Sequence, residues 1–330
     1  THIYNTIAHL SAYQNRYYAS NEGRVAAEWI RDTWQALAGS RTDVTSELFA
    51  CSTCSTQPSV ILTIQGTELP GEIVVLGAHL DSINGSAGGS TTQVAPGADD
   101  DASGIATLTE VLRIAMSSGW KPKRTVKFIG YAAEEVGLRG SNAIAQAHKT
   151  ALANVVAVLQ LDMTNYRSGS AVDMRLVTDF SNVDMKTFLT NLFDTYLAPL
   201  GMTRGTYTCG YGCSDHASWT SAGYPSAMFF EAGTGGTSAT LGRYVRYRGY
   251  PTELIVVDPE NSVFFESYQS GDRTLRRACS SRSGRGRTCC PRCATCTTRS
   301  GSTACRRSAT RWRACRCRFR CARKWSTRAT

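Results

Sequence analysis

The strongest constraint on the fold of this 330-residue chain is an alternation of short apolar runs with segments of helical periodicity. Apolar residues recur at near-helical spacing in 5–38, 105–116, 141–149 and 185–196. Continuous apolar or β-branched runs lie at 60–64, 73–76, 125–131 and 155–161. Strands that are apolar on both faces and alternate with helices are typical of a parallel sheet covered on both sides. We therefore predict an α/β fold, a three-layer sandwich around a mostly parallel central sheet.

Two finer features follow from the same pattern. The runs 60–64 and 73–76 are separated by Gly66, Pro70 and Gly71, and these turn formers predict two neighbouring strands joined by a turn. The first helical segment is interrupted near 21–23, which predicts an amphipathic helical hairpin on the outside of the domain.

Charge and cysteine content divide the chain near residue 271. Residues 1–271 have a net charge of −7 and four cysteines, whereas 272–330 have a net charge of +17 and nine cysteines. The basic segment contains one Leu and no Ile, Val, Met, Glu or His, so it cannot supply a hydrophobic core. We predict a folded domain over 1–270, followed by an Arg/Cys-rich tail over 271–330. The tail has the composition of a disordered segment or of a gene translated out of frame, with the shift after about residue 235.

The tail also allows a second interpretation. Cys290, Cys293 and Cys296 are spaced like metal ligands, and the many arginines could bind nucleic acid phosphates without sequence specificity. Regular cysteine pairs and surrounding apolar residues are missing from this part of the sequence. We therefore favour disorder or a frame shift.

The four cysteines of the first region form two close pairs, Cys51/Cys54 and Cys209/Cys213. Such pairs suit small disulfide loops, which persist outside the cytosol, or together a four-cysteine zinc site. We favour disulfides. The sequence lacks an apolar run of about 18 residues, so we expect no membrane span. It also begins at Thr1 without a charged and apolar leader, so any signal peptide is removed or lies outside this sequence. We expect a secreted protein, because disulfides persist outside the cytosol.

Residues that can bind a metal follow every strand of the predicted sheet core. They are His79, Asp81, the triplet 99–101, the pair Glu134 and Glu135, and Asp162. A single carboxylate in such a place is usually a helix cap or a solvated loop residue. The carboxyl ends of parallel strands meet at one edge of the sheet, however, so four such coincidences predict a shared site.

The residue types indicate zinc. An imidazole and several carboxylates are ligands that zinc accepts, and two zinc ions close together need a bridging carboxylate, for which we expect Asp99. In a His-x-Asp strand both side chains share a face, so Asp81 can orient the ring of His79. Adjacent Glu134 and Glu135 point in different directions, so one can bind metal while the other acts as a general base.

Five segments now carry a resemblance to a known family: VVLGAHLDSI, APGADDDASG, YAAEEVGLRGS, LQLDMTNY and CGYGCSDHASW. Between about residue 5 and residue 233, the chain resembles bacterial leucyl aminopeptidases with a co-catalytic pair of zinc ions. The resemblance implies that His79 and Asp162 bind one zinc ion and that Asp99 bridges to the second. It further implies that Glu135 binds the second ion and that Glu134 is the general base.

The resemblance also implies the rest of the catalytic apparatus. Tyr211 matches a tyrosine that hydrogen-bonds the developing oxyanion, in a loop fixed by a disulfide between Cys209 and Cys213. The implied activity is a zinc-dependent exopeptidase that acts on peptides with a free amino terminus. We expect it to be a monomer, with neither a membrane nor a nucleic acid as partner.

Three apolar residues beside these motifs bear on substrate choice. The resemblance implies that Met163 and Phe230 line an apolar pocket, which would favour peptides that begin with Leu or another large hydrophobic residue. Phe229 fits the core of a strand over 227–230 equally well.

The resemblance breaks at the family's last zinc ligand, a histidine that follows the strand ending in Phe-Glu. No histidine follows His216 in this sequence, so the second zinc ion keeps only Asp99 and Glu135. His216 itself matches a position that is not a zinc ligand, and we expect it to be structural. A single-zinc or inactive relative, similar to glutaminyl cyclases, is therefore the alternative.

Overall fold

The computed structural model of the chain describes residues 2–84, 89–164 and 172–231, without the side chains of the last two. The helices in this part are α1 (His2–Leu10), α2 (Asn21–Ala38), α3 (Ala102–Ser117), α4 (Arg139–Thr150), α5 (Val183–Tyr196) and α6 (His216–Ala222). The strands are β1 (Val44–Phe49), β2 (Ser59–Ile64), β3 (Leu69–His79), β4 (Arg124–Tyr131), β5 (Asn154–Asp162), β6 (Met174–Val177), β7 (Arg204–Tyr207) and β8 (Ser226–Glu231).

The strands of the described residues form one mixed sheet in the order β1-β2-β4-β3-β5-β8-β6-β7. The central neighbours β4, β3, β5 and β8 are parallel. The outer pairs β1/β2, β2/β4 and β6/β8 are antiparallel. The edge pair β6/β7 is parallel as well. The predicted α/β class with helices flanking the sheet is therefore confirmed.

The predicted pairing of the second and third strands is wrong, because β4 lies between them. Ile129 of β4 is opposite Ile61 of β2 on one side and opposite Gly77 of β3 on the other. Strand β4 is apolar on both faces and returns through α3 to pair in parallel with β3, which leaves its other edge for β2. Short separation along the chain favours neighbouring strands but does not require them.

The two faces of the sheet are covered by different helices. Val126 and Phe128 of β4 pack into one cluster with residues of α1, α2 and α3. Ile129 and Tyr131 face the other side, where Trp219 of α6 and residues of α4 cover them. Alternate residues of β4 therefore contact different helices on the two faces of the sheet.

The predicted helical hairpin is two helices with a longer irregular connection than the sequence indicated. The segment 21–23 is the first turn of α2 instead of a break, because Ser20 caps this helix and its Oγ accepts the N–H of Gly23 at 2.8 Å. The chain between α1 and α2 pairs with the segment before α3, through a backbone bridge between Asn15 and Ala95.

None of the helices in the described part of the chain is long and apolar enough to cross a membrane. The predicted tail over 271–330 lies outside the described residues, and so do Cys290, Cys293, Cys296 and the predicted domain boundary.

Candidate metal centre

The central strands bring the metal-competent residues to one edge. His79 is the last residue of β3 and is opposite Tyr131, the last residue of β4. Asp162 ends the neighbouring strand β5. Glu134 follows β4 by three residues, and the triplet 99–101 lies directly before α3. Parallel strands thus gather these groups as the sequence predicted.

His79 is the centre of the cluster. Its Nε2 lies 2.8 Å from Oδ1 of Asp100 and 3.8 Å from Oδ1 of Asp162. The imidazole is buried, whereas the Asp100 side chain is 44% exposed and open to a ligand. One imidazole nitrogen facing two carboxylates is a donor set that fits zinc.

The other two aspartates of the triplet have different contacts. Asp101 offers a carboxylate oxygen within 4.8 Å of ligand atoms of His79 and Asp162, and its carboxylate also accepts the N–H groups of Gly104, His79 and Met163 at 2.8, 3.1 and 3.2 Å. It therefore caps α3 and fixes the ends of β3 and β5. The main-chain oxygen of Asp99 accepts the hydroxyl of Ser103 at 2.6 Å. Of the three aspartates, Asp100 places a carboxylate oxygen 2.8 Å from His79 Nε2.

Asp81 lies between the ring of His79 and the loop after β4. Its Oδ1 lies 3.4 Å from Nδ1 of His79. Its two oxygens also accept the backbone N–H groups of Glu134 and Glu135 at 2.9 and 3.1 Å. Because Asp81 is fully buried, it ties the end of β3 to the acidic loop after β4. The sequence did not predict this second role.

The cluster concentrates acidic groups in a place that water reaches poorly. Burial raises the pKa of Glu134 well above its usual value, and nearby Asp215 and Asp162 add to the shift. Burial likewise raises the pKa of Glu135 to about 8, with Asp100 and Asp81 among its acidic neighbours. Buried carboxylates of like charge are stabilised by a cation, and a divalent metal ion at His79 fits this requirement.

The buried hydroxyl of Ser214 is hydrogen-bonded to the carboxylate of Asp162. Ser214 donates from Oγ to Oδ2 of Asp162 at 2.7 Å, and the Nε2 of Gln160 donates to Ser214 and to Asp215 at 3.2 Å each. Ser214 precedes α6, so this helix is tied to the end of β5. Its position in the motif CGYGCSDHASW is the sequence signal that could have identified it.

Both cysteine pairs are disulfides, so the alternative of a four-cysteine zinc site is wrong. Cys51 and Cys54 pack against Ala132 and Ala133, directly before the acidic loop. The Cys209–Cys213 disulfide closes the loop of Tyr211.

Tyr211 itself is not part of the cluster in this structure. Its side chain is 65% exposed, and its loop is held at the other end by Asp179, whose carboxylate accepts the N–H groups of Cys209 and Gly210 at 3.1 and 2.7 Å. The loop is therefore anchored while the tyrosine ring is exposed.

The predicted pocket residues differ in their surroundings. Met163 is half-buried, with its main chain held by Asp101. Phe229 is 8% exposed and packs on Phe193 at 5.8 Å between ring centroids, so it is a core residue. The backbone of Phe230 pairs with Asp162, and its side chain lies outside the described part.

His216 is buried at the start of α6. Burial lowers its pKa to about 4, so the ring is neutral near pH 7. Its main-chain oxygen accepts the hydroxyl of Ser226 at 2.7 Å. The structural role of His216 stays a prediction.

Fold and site together define a class: α/β proteins with a cluster of one histidine and several carboxylates, residues able to hold a metal ion, at the carboxyl edge of a mixed sheet. The sequence profile of peptidase family M28 matches residues 59–248. The chain therefore belongs to peptidase family M28.

Relatives of known sequence or structure agree with this assignment. The chain is 39% identical over 238 residues to a probable leucine aminopeptidase of Arthroderma otae, covering 70% of this chain and 62% of that protein. It is 38% identical over 236 residues to leucine aminopeptidase 1 of Fusarium vanettenii, covering 68% and 58%. LapB of Legionella pneumophila is 36% identical, with a TM-score of 0.64 and coverage of 71% and 61%. The chain thus spans about three fifths of these relatives, which come from fungi and a bacterium.

Proposed function

We propose that this chain is a zinc-dependent aminopeptidase that removes hydrophobic, Leu-type residues from the amino terminus of peptides. The observation that supports this most strongly is the approach of His79 Nε2 to Asp100 Oδ1 at 2.8 Å, with Asp162 Oδ1 at 3.8 Å. The relatives named leucine aminopeptidase support the substrate class.

The proposed ligands combine the resemblance with the contacts of the cluster. His79 and Asp162 would hold one zinc ion, and Glu135 would hold a second. Asp100 would contact both ions in the place that the sequence analysis gave to Asp99, because Asp100 is the member of the triplet in contact with His79 Nε2. Bound zinc would supply a Lewis acid for the scissile carbonyl and an acidified water for attack.

Proton transfer falls to Glu134. With a cation stabilising its charged form, Glu134 would take a proton from the attacking water and then give it to the leaving amine. Asp81 accepts the backbone N–H of Glu134, which fixes the main chain from which the Glu134 carboxylate extends. The Tyr211 hydroxyl would donate to the developing oxyanion, and Met163 and Phe230 would line the apolar pocket.

The direct test is hydrolysis of leucine p-nitroanilide by the metal-free chain before and after zinc addition. We expect activity only with zinc, removal of that activity by a chelator, and no hydrolysis of the N-acetylated anilide, which lacks a free amino terminus. Hydrolysis that is insensitive to metal, or no hydrolysis at any zinc concentration, would refute the proposal.

A second candidate rests on one feature of the sequence. No histidine follows His216, so the second ion lacks the ligand expected from the resemblance. A single-zinc relative similar to glutaminyl cyclases would bind one zinc ion per chain and convert a peptide's amino-terminal glutamine to pyroglutamate. Metal analysis, combined with assays on a leucine anilide and on a glutaminyl peptide, separates the two candidates.

The surroundings of the enzyme are part of the proposal. Disulfides persist in oxidising compartments, so we propose that the protein is secreted and acts on extracellular peptides. We also propose that it acts as a monomer. Fractionation of the source cells and light scattering of the purified chain test these two points.

A further inference from the structure

Arg16 is fully buried, yet its guanidinium is satisfied by main-chain carbonyls. Nε donates to the oxygen of Leu80 at 2.9 Å, and Nη1 donates to those of Leu10 and Pro96 at 3.0 and 2.6 Å. Nη2 donates to the oxygen of Gly97 at 2.9 Å. Complete burial of an arginine is costly unless its donors are hydrogen-bonded, and here the four carbonyls provide those hydrogen bonds.

The carbonyls that Arg16 binds belong to the two segments that form the metal centre. Leu80 lies between His79 and Asp81, whereas Pro96 and Gly97 come directly before the aspartate triplet. One planar group with fixed donor directions therefore spans the gap between the histidine and its carboxylate partner.

Neighbouring residues strengthen this connection. The N–H of Arg16 donates to Oγ of Ser82 at 2.9 Å, and that hydroxyl donates to the oxygen of Ala95 at 2.7 Å. Asn15 also bridges to Ala95 through the main chain and donates from Nδ2 to the oxygen of Gln93 at 2.9 Å. Residues 14–16 thus form a strap across the loop that connects the two segments.

The fit at the end of this strap is tight. Gly97 has a φ of 51°, and a Cβ at this position would lie 2.4 Å from the oxygen of Asp100 and 2.9 Å from Nη2 of Arg16. The backbone before the triplet therefore touches the guanidinium without space for a side chain.

We propose that Arg16 is a positioning residue for the metal centre: its guanidinium fixes the separation between the His79 segment and the Asp100 segment. This inference rests on the zinc site proposed above. Arg16 does not reach the substrate or the metal, and acts through the loop carbonyls that it holds. Its positive charge also faces a group of carboxylates and opposes their mutual repulsion.

The test compares Arg16→Lys and Arg16→Met with a matched control, Arg41→Met. Arg41 also donates to a carbonyl, that of Trp120 at 2.8 Å, and its side chain is 18% exposed, but it pairs with Asp43 outside the cluster. Zinc affinity is measured at 25 °C by competition with a chelator. We expect both Arg16 variants to bind zinc roughly 10- to 100-fold more weakly, as for other residues that orient metal ligands, and the control to stay within about twofold of the wild type.

Lysine keeps the charge but cannot reach the four carbonyls, so it separates geometry from charge. Wild-type affinity in Arg16→Lys would overturn the inference. Wild-type affinity in both Arg16 variants, with only a lowered unfolding temperature, would overturn it as well, because Arg16 would then serve stability alone. If Arg16→Met does not fold, Ser82→Ala removes one anchor of the strap; we expect severalfold weaker zinc binding, and unchanged binding again overturns the inference.

A second measurement does not depend on zinc. In the metal-free protein we expect faster hydrogen exchange at 79–82 and 97–101 in Arg16→Lys than in Arg41→Met, with no difference in α5. Unchanged exchange in these segments would overturn the inference. A wild-type chain that binds no zinc would instead count against the proposed function, while the exchange data still decide the role of Arg16.

Discussion

The base of the metal centre and the loop of Tyr211 are held by the same kind of contact in different surroundings. Asp81 accepts two backbone amides of the loop with Glu134, and Asp179 accepts two amides of the loop with Tyr211. Asp81 is fully buried, whereas the Tyr211 loop is exposed. Hydrogen bonds to a charged group are stronger where the dielectric is low. We therefore expect the buried contact to control metal binding, and the exposed contact to affect only how a substrate binds.

The largest effect should come from the buried region. In Glu134→Gln the side chain keeps its shape and its backbone contact to Asp81, but it cannot carry the proton. We expect kcat for leucine anilide to fall roughly 10²- to 10⁴-fold with zinc content unchanged. Glu110→Gln on α3 is the control, since Glu110 pairs with Arg113 outside the cluster. If Glu134→Gln kept more than a tenth of the activity, Glu134 could not be the base.

The next largest effect concerns the exposed region. Tyr211→Phe removes one hydrogen-bond donor to the oxyanion, so we expect kcat to fall about 10²- to 10³-fold with little change in KM or zinc affinity. Tyr196→Phe on α5 is a suitable control, because Tyr196 is 66% exposed. Equal activity of the two variants would remove Tyr211 from the mechanism.

The comparison between the two carboxylates is sharpened by Asp81→Asn. The amide retains one acceptor but places an N–H group against a buried backbone N–H, so the Glu134 loop must shift. We expect zinc affinity to fall about 10- to 100-fold, measured by chelator competition. Unchanged affinity would mean that the loop position does not control the site.

The smallest effect is expected for the same change in the exposed loop. In Asp179→Asn water can replace the lost acceptor, so we expect kcat to fall by about tenfold at most and zinc affinity to stay unchanged. Zinc affinities that fall equally in Asp179→Asn and Asp81→Asn would contradict the distinction between the two regions.

Much of this arrangement could be predicted from the sequence, because strand ends and metal ligands leave local patterns. The run 155–161 followed by Asp162, and 125–131 followed by the Glu pair, are strands with their functional groups where expected. The apolar periodicity 185–196 is helix α5. In each case a single segment contains both the structural and the chemical signal.

The rest depends on contacts between distant segments. Strand β1 lacks a clear apolar run. Strand β4 is buried on both faces and lies between β2 and β3, which no local pattern indicates. Within the triplet, three identical side chains differ only in the path of the backbone, so the sequence could not separate Asp99 from Asp100. Arginines usually lie at the surface. Most of the carbonyls that allow Arg16 to be buried belong to residues about 64 to 81 positions away in the sequence.

The measurement that tests the metal centre most directly is anomalous diffraction at the zinc edge from crystals of the zinc-loaded chain. We predict an anomalous peak about 2.0–2.2 Å from Nε2 of His79 and from carboxylate oxygens of Asp162 and Asp100. A peak held by Asp99 instead of Asp100 would contradict the assigned bridge, and the absence of zinc at this edge of the sheet would contradict the proposed centre itself.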